Sequence, residues 1–212
     1  MAEFEGIVGN NRAGIGDGAG DVFRLGKTGE LVQGRAHGEF FEPVSRGTVF
    51  SACTATGGVA HGTSLSTTAA FTLHNPLGSG VLVSILSASL GYLSGTLGLG
   101  VMYFTTHAGV AVANPTGAAI VIRQNLLGSA AAGKAIALTT ATVVTQIAIR
   151  PFTSFGPFLA STVFTPVICK DPVNGEITLA PGYGCNLHSV AGAGSTPLVL
   201  IGMSWEEIAI PT

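Results

Sequence analysis

The sequence contains few charged residues, and a long stretch in its middle contains none. Asp, Glu, Lys and Arg make up 9% of the chain, against roughly a quarter in an ordinary globular domain. Positions 47–122 form a run of seventy-six residues without any of the four. A surface that faces water normally carries charge, so we expect lipid or other protein chains to cover much of this region.

Of these two environments for the uncharged region, lipid fits the sequence less well than protein does. The uncharged window 81–104 is long enough to cross a bilayer as a helix. Nine of its residues are Ser, Thr or Gly, and the nearest cations, Arg46 and Arg123, lie far from its ends. Apolar and small residues alternate within the window, which is typical of a half-buried β-strand. The sequence therefore predicts no membrane span and favours β-structure covered by protein.

Other absences narrow the class further. The net charge of −2 provides no basic patch for nucleic acid. The first residues lack the basic and then apolar pattern of a secretory signal, so we expect synthesis in a cytoplasm. The three cysteines are Cys53, Cys169 and Cys185. An odd number in a reducing compartment favours free thiols, although Cys169 and Cys185 flank a predicted hairpin and could pair.

Charge divides the chain into two regions. Residues 1–46 hold twelve of the twenty charged residues, together with the glycine-rich stretch GNNRAGIGDGAGD. This region has too little apolar surface to fold alone and too much for a plain solvated tail. We predict an extended N-terminal arm over 1–46 that becomes ordered on a partner surface. A terminus without a partner is the alternative.

Residues 47–212 read as a series of short strands separated by turn residues. Asn174-Gly175 and Pro181-Gly182 are two of the turn signals, and Asn-Gly is a strong hairpin signal because both residues tolerate positive φ. We predict an all-β antiparallel β-sandwich with the topology of a jelly roll. The predicted strands lie near 48–54, 67–74, 81–92, 100–106, 118–123, 136–149, 160–169, 176–180, 184–189 and 197–209.

Such sheets need protection for their edges and faces. Exposed edge strands usually carry Lys or Pro, and the uncharged region contains no Lys. A closed homo-oligomer would bury uncharged faces between subunits, since interface cores are depleted in charge. We predict a homotrimer.

The sequence offers little catalytic chemistry. It has no Gly-x-Ser-x-Gly elbow, and its three aspartates are Asp17, Asp21 and Asp171. Glu206 and Glu207 are adjacent, so in a strand they point to opposite faces and do not form an acid/base pair. We expect no enzyme activity, cofactor or metal.

The five histidines are widely separated and lack metal-ligand spacing: His37, His61, His74, His107 and His188. Buried or interface histidines that are simply hydrogen-bonded are the favoured interpretation. A cupin-like metal enzyme is an alternative, in which His61, His74 or His107 would hold the ion.

Four segments carry a resemblance to a known family. They are VFRLGKTGEL (22–31), EPVSRGTVFSA (42–52), NPLGSG (75–80) and SWEEI (204–208). In their order along the chain they resemble the knob-like decoration, or cement, proteins on the heads of tailed bacteriophages. The resemblance implies a β-sandwich trimer that clamps neighbouring subunits of the major capsid protein on the outside of the virion, after assembly in the host cytoplasm.

The resemblance also implies where the protein would meet the capsid. Residues 1–46 would contact the coat shell without nucleic acid, membrane or cofactor. A phage fibre protein or a receptor- or glycan-binding head has a similar Gly/Ser/Thr-rich β-composition and is the second hypothesis. The candidates for pairing with coat carboxylates are Arg12, Arg24, Lys27, Arg35 and Arg46.

Overall fold

The structure is a computed structural model that describes residues 38–107, 114–129, 131–144, 146–155, 168–192 and 194–210. The chain separates into two units, 1–41 and 42–212, and of the first unit the description covers residues 38–41. Within the described ranges, no helix is both long and apolar enough to span a bilayer. The elements are α1 Phe41–Ser45, β1 Val49–Cys53, β2 Thr68–His74, β3 Val81–Ser94, β4 Gly100–His107, β5 Thr116–Ala119, β6 Ile122–Gln124, β7 Ile136–Thr142, β8 Ile147–Phe155, β9 Ile168–Asp171, β10 Thr178–Leu179, β11 Gly184–Ala191 and β12 Leu198–Ala209.

The strands form two antiparallel sheets that pack as a sandwich. The first sheet has the order β10-β3-β12-β1-β6, and β9 pairs with the same strand, β3, that β10 pairs with. The second sheet has the order β5-β7-β2-β11-β4-β8. The prediction of an all-β antiparallel sandwich is therefore confirmed. Residues 1–37 of the predicted arm over 1–46 lie outside the described residues.

The core lies between the sheets because apolar residues alternate along their strands. Phe50, Ile85 and Trp205 enter it from the first sheet, and Phe71 and Phe104 enter it from the second. Trp205 is fully buried and stacks on Phe50 with 6.4 Å between ring centroids. Since side chains of a strand point alternately to opposite faces, the residues between these core positions define the two outer faces of the sandwich.

Most predicted strands appear within a few residues of their expected bounds, but two are wrong. The prediction 118–123 merges β5 and β6, which belong to different sheets. The chain leaves one sheet and enters the other at residues 120–121, where Val121 is 64% exposed. The prediction 136–149 merges β7 and β8, because no Gly or Pro interrupts the alternating pattern between them. The predicted strand 160–169 can be compared only at its last two residues, because 160–167 lie outside the described positions. Residues 168 and 169 belong to β9.

Asn174 and Gly175 do form a turn with positive φ, at 50° and 84°. The predicted hairpin is nevertheless wrong, since β9 and β10 do not pair with each other. Both strands pair with β3, so β9 and β10 together form one edge of the sheet, and the turn interrupts that edge between them. The Asn174 N–H donates to the Leu86 carbonyl of β3 at 2.9 Å. Cys169 and Cys185 consequently belong to different sheets, and all three cysteines are free thiols.

Candidate functional site

A row of polar residues lies buried on the outer face of the second sheet. Thr72 on β2, Asn186 on β11 and Thr105 on β4 are aligned by strand pairing, and each has no exposed surface. Two residues further along β2 and β4 stand His74 and His107, which are also buried. Polar groups in such a position must bond to one another or they would strongly destabilise the fold.

Hydrogen bonds across this row run in one direction, which the backbone determines. Gln146 Nε2 donates to the Ser66 carbonyl at 2.8 Å, so Gln146 Oε1 accepts from the Thr105 hydroxyl at 2.8 Å. With its proton used, Thr105 Oγ1 accepts from Asn186 Nδ2 at 3.2 Å. Asn186 Oδ1 then faces Thr72 Oγ1 at 2.8 Å and His107 Nδ1 at 3.1 Å, and it accepts from both. We call these side chains, with His74, the polar row.

The direction of the polar row assigns the tautomers of its two histidines. Because His107 Nδ1 donates to Asn186, His107 Nε2 carries the lone pair. That nitrogen lies 3.3 Å from His74 Nδ1, so His74 supplies the proton of this contact. The two rings stack with centroids 5.5 Å apart. A Cβ at Gly184, which lies between them on β11, would collide with the His107 ring.

Burial keeps these histidines neutral. It lowers the pKa of His74 to about 4, with a further lowering from a charge on His107 and an opposing hydrogen bond to Asn114. Burial also lowers the pKa of His107, against the hydrogen bond to Asn186. An imidazolium would thus lose its hydration here without gaining a carboxylate partner among the contacts described.

A second histidine pair lies further along β11. His188 Nδ1 accepts from the Ala70 N–H at 3.1 Å, and its Nε2 donates to the Ser64 carbonyl at 2.9 Å. His61 Nδ1 contacts the Ser189 hydroxyl. Burial lowers the pKa of both His61 and His188.

The contact between His61 and Ser189 resembles part of a catalytic triad, but its geometry does not suit one. Ser189 has no exposed surface, and its hydroxyl donates to the His61 carbonyl at 3.0 Å and the Gly62 carbonyl at 2.5 Å. A nucleophile must reach a substrate and give its proton to a base. This serine does neither, so the pair cannot perform nucleophilic catalysis in this conformation.

The histidines named for the metal-enzyme alternative are only partly brought together. His74 and His107 meet in the polar row, whereas His61 belongs to the separate pair with Ser189. Among the residues with described positions, no three His, Cys, Asp or Glu side chains stand close enough to hold a metal ion. His37 lies outside these positions.

Glu206 and Glu207 point to opposite sides of β12, as their adjacency predicts. Glu206 is half-buried on the outer side and accepts from the Thr48 hydroxyl at 3.2 Å. Glu207 points inward and accepts from the backbone N–H of Lys134 at 2.8 Å, the N–H of Ala135 at 3.0 Å and the Trp205 indole at 3.2 Å. The Glu207 carboxylate therefore attaches the start of β7 to the first sheet, a role that the sequence interpretation missed.

Arg150 uses two of the remaining acidic residues. Its guanidinium lies 2.7 Å from Asp171 and 3.2 Å from Glu176, and 4.6 Å from the centre of the Phe104 ring. The hydrogen bond to Asp171 is the main cause of a raised pKa at Arg150. Because Arg150 belongs to the second sheet and Asp171 to the first, this ion cluster joins the sheets at one edge.

The five candidate coat-docking residues lie mostly outside the description. Arg12, Arg24, Lys27 and Arg35 all precede residue 38. Arg46 follows α1, and its Nε lies 2.8 Å from Glu42 Oε1 in an exposed pair one helical turn apart. Such exposed pairs are weak, so this contact does not prevent Arg46 from meeting another carboxylate.

The outer face of the first sheet differs from that of the second. Ser51 on β1, Ser87 and Ser89 on β3, and Gly202 and Ser204 on β12 line a surface depression of about 430 Å³. We call it the serine depression. Arg123 is the charged residue of its lining, and the serines are only half-buried. Within the described part of the chain, this face is therefore only partly covered.

A signal for the polar row was present in the sequence. The segments Thr72-Leu73-His74, Thr105-Thr106-His107 and Asn186-Leu187-His188 each place a short polar residue two positions before a histidine. Spacing of two puts both side chains on one face of a strand. The sequence interpretation missed the row because it judged the histidines by metal-ligand spacing.

Comparison with known protein families, curated protein sequences and solved structures finds no match for this chain.

Proposed function

We propose that this protein is a non-enzymatic jelly-roll protein that decorates a bacteriophage capsid as a homotrimer and stabilises it by bridging subunits of the major capsid protein. The strand pairing supports the jelly roll. The first strand pairs with the last, β1 with β12, and successive strands pair inward as β2 with β11, β3 with β9 and β10, and β4 with β8. A jelly roll is a long hairpin of paired strands that is wound over two sheets, and its strands pair in this order. Here β5 to β7 are inserted in the chain between β4 and β8, the two strands of the fourth pair.

A jelly roll alone does not specify a function. The observation that carries the proposal is the contrast between the two outer faces. The polar row of the second sheet is already buried, whereas the first sheet presents half-buried serines with few charges. A sheet face of this kind suits contact with further copies of the chain, since interface cores are depleted in charge.

The chemistry of the described side chains supports a structural role. The polar row bonds internally, the buried histidines are held neutral, and Ser189 has no access to a substrate. Five of the eight charged residues after position 46, namely Arg150, Asp171, Glu176, Glu206 and Glu207, are used in internal contacts. We infer that the protein acts by binding and needs no cofactor.

In this proposal the arm over 1–46 attaches the trimer to the capsid exterior. Arg12, Arg24, Lys27, Arg35 and Arg46 would pair with coat carboxylates. Each ion pair is individually weak, but three arms on one trimer make the attachment multivalent, so loss of one contact does not release it. Neither nucleic acid nor membrane takes part.

A truncation tests the proposal. The full chain and a variant that lacks residues 1–36 are weighed by light scattering and sedimented with shells assembled from the major capsid protein of the same genome. We expect both to be trimers and only the full chain to sediment. Full decoration by the truncated protein would contradict the arm, and a monomeric full chain would contradict the trimer. A trimer that ignores shells but binds host cells or glycans would favour the fibre-head hypothesis.

A further inference from the structure

A turn at the edge of the first sheet projects two leucines into solvent. Residues 125–129 follow β6, and the Ser129 N–H donates to the Leu126 carbonyl at 3.2 Å to close the turn. Leu126 is 40% exposed and Leu127 is 88% exposed. We call this segment the leucine turn. Burial of a leucine side chain stabilises a complex by roughly 1.5–3 kcal/mol, so a projecting pair is a strong candidate for a contact.

The base of the leucine turn is firmly attached to the sheet. Asn125 N–H donates to the Val49 carbonyl at 2.8 Å, and Asn125 Oδ1 accepts from the Ser51 hydroxyl at 2.7 Å. Leu127 is therefore presented by a hydrogen-bonded turn, and less conformational entropy is lost when it binds.

The serine depression suits a leucine side chain. Ser51 and Ser204 lie 2.8 Å apart and hydrogen-bond to each other, and Ser51 also donates to Asn125. Covering these two hydroxyls therefore leaves neither without a partner, so they add little to the cost of burying polar groups. Cys53 and Val121 are exposed and add apolar surface to the lining. Leu127 is too exposed to occupy the depression of its own chain.

The charges next to these two features allow one ion pair between copies, although the Arg123 of the receiving copy also lines its depression. Arg123 lies four residues before Leu127, is exposed, and forms no ion pair within the described part of the chain. Glu206 lies two residues beyond Ser204 on the same face of β12 and contacts the Thr48 hydroxyl. A leucine turn that enters the depression of another copy brings its Arg123 towards a face that carries a carboxylate.

We propose that the leucine turn of one copy inserts into the serine depression of a second copy, and that this contact repeats around the oligomer. The inference rests on the proposed homotrimer and names the surfaces that form it. The contact joins two different surfaces, so it is heterologous, and it closes into a ring when the rotation between copies allows.

The first test compares two exposed leucines. Leu127→Glu places a charge on the leucine turn, and Leu77→Glu places one on the β2–β3 connection, where Leu77 is 65% exposed. Light scattering should give a trimer for the full chain and for Leu77→Glu, and a monomer for Leu127→Glu that still unfolds cooperatively on heating, at a lower Tm because the contact between subunits is lost. Ser87→Phe, which fills the depression from the other side, should also give a monomer.

The second test uses the native thiol of the depression. Leu127→Cys is oxidised with copper phenanthroline in the full chain, so that the new thiol can reach Cys53, which lines the depression and is exposed. A disulfide requires the two Cα atoms to approach within about 7 Å. A closed ring should yield covalent trimers on a non-reducing gel, and Cys53→Ser should abolish them.

The outcomes separate this inference from the proposed function. If Leu127→Glu remains a trimer and Leu127→Cys forms no cross-link through Cys53, the contact is wrong while the trimer stands. If Leu127→Glu stays trimeric but no longer sediments with shells, the leucine turn binds the coat and the inference is also overturned. A monomeric full chain overturns both.

Discussion

His74 donates its Nδ1 proton to His107 Nε2 across 3.3 Å on the outer face of the second sheet. The donor can be assigned from the other end of the polar row. The Ser66 carbonyl accepts from the Gln146 amide and so fixes its orientation. Each hydrogen bond from Gln146 through Thr105 and Asn186 to His107 then has only one possible direction. His107 must therefore stay neutral, because its Nε2 accepts this hydrogen bond. One additional proton on His74 would bring a cation into a buried site without a carboxylate among its described contacts.

The stability of the protein should consequently fall in mild acid. The folded pKa of His74 is lowered to about 4 from an ordinary 6.5, so the unfolded chain binds more protons between these values. The stabilisation is complete above pH 6.5 and is lost as the pH falls towards 4. We expect the free energy of unfolding to drop by about 2–3 kcal/mol over this window. Urea titrations between pH 4 and 8 measure it, and His74→Gln should reduce the slope, while His61, His107 and His188, whose pKa values burial also lowers, keep part of it; an unchanged slope would contradict the assignment.

Replacement of Asn186 should show what the polar row contributes. Asn186→Leu removes the acceptor of Thr72 and of His107 and leaves two buried donors unpaired. Each unpaired group costs about 1–3 kcal/mol, so we expect a loss of roughly 2–5 kcal/mol in urea unfolding at pH 7. Thr142→Val, at an exposed position of β7, is the control and should change stability little. Equal losses in the two variants would show that the row has no special role.

Glu206 and Glu207 provide a matched pair of substitutions on one strand. Glu207→Gln presents an amide N–H₂ to backbone donors of residues 134 and 135, and we expect a loss of about 2–3 kcal/mol. Glu206→Gln alters a half-buried contact with one hydroxyl and should cost less than about 1 kcal/mol. Thermal and urea unfolding of both variants measure the difference. A larger loss for Glu206→Gln would reverse the inward and outward assignment.

The sequence by itself determined five of the strands and the faces on which their side chains lie. Alternation of apolar and small residues located β1 to β4 and β12, because residues two apart share a face regardless of what lies elsewhere in the chain. The same rule separated Glu206 from Glu207. The low charge of positions 47–122 also follows from sequence alone. These are local properties, and local reasoning sufficed for them.

Only the tertiary structure decided which strands are neighbours and which polar groups meet. The pairing of β11 with β2 on one side and with β4 on the other brings residues 72, 186 and 105 together, although 72 and 186 are more than a hundred positions apart in the chain. The division of 118–123 between two sheets likewise depends on β7 and β1, which lie elsewhere in the sequence. Strand order follows from how the whole set of apolar faces can be buried at once, and no single segment carries that information.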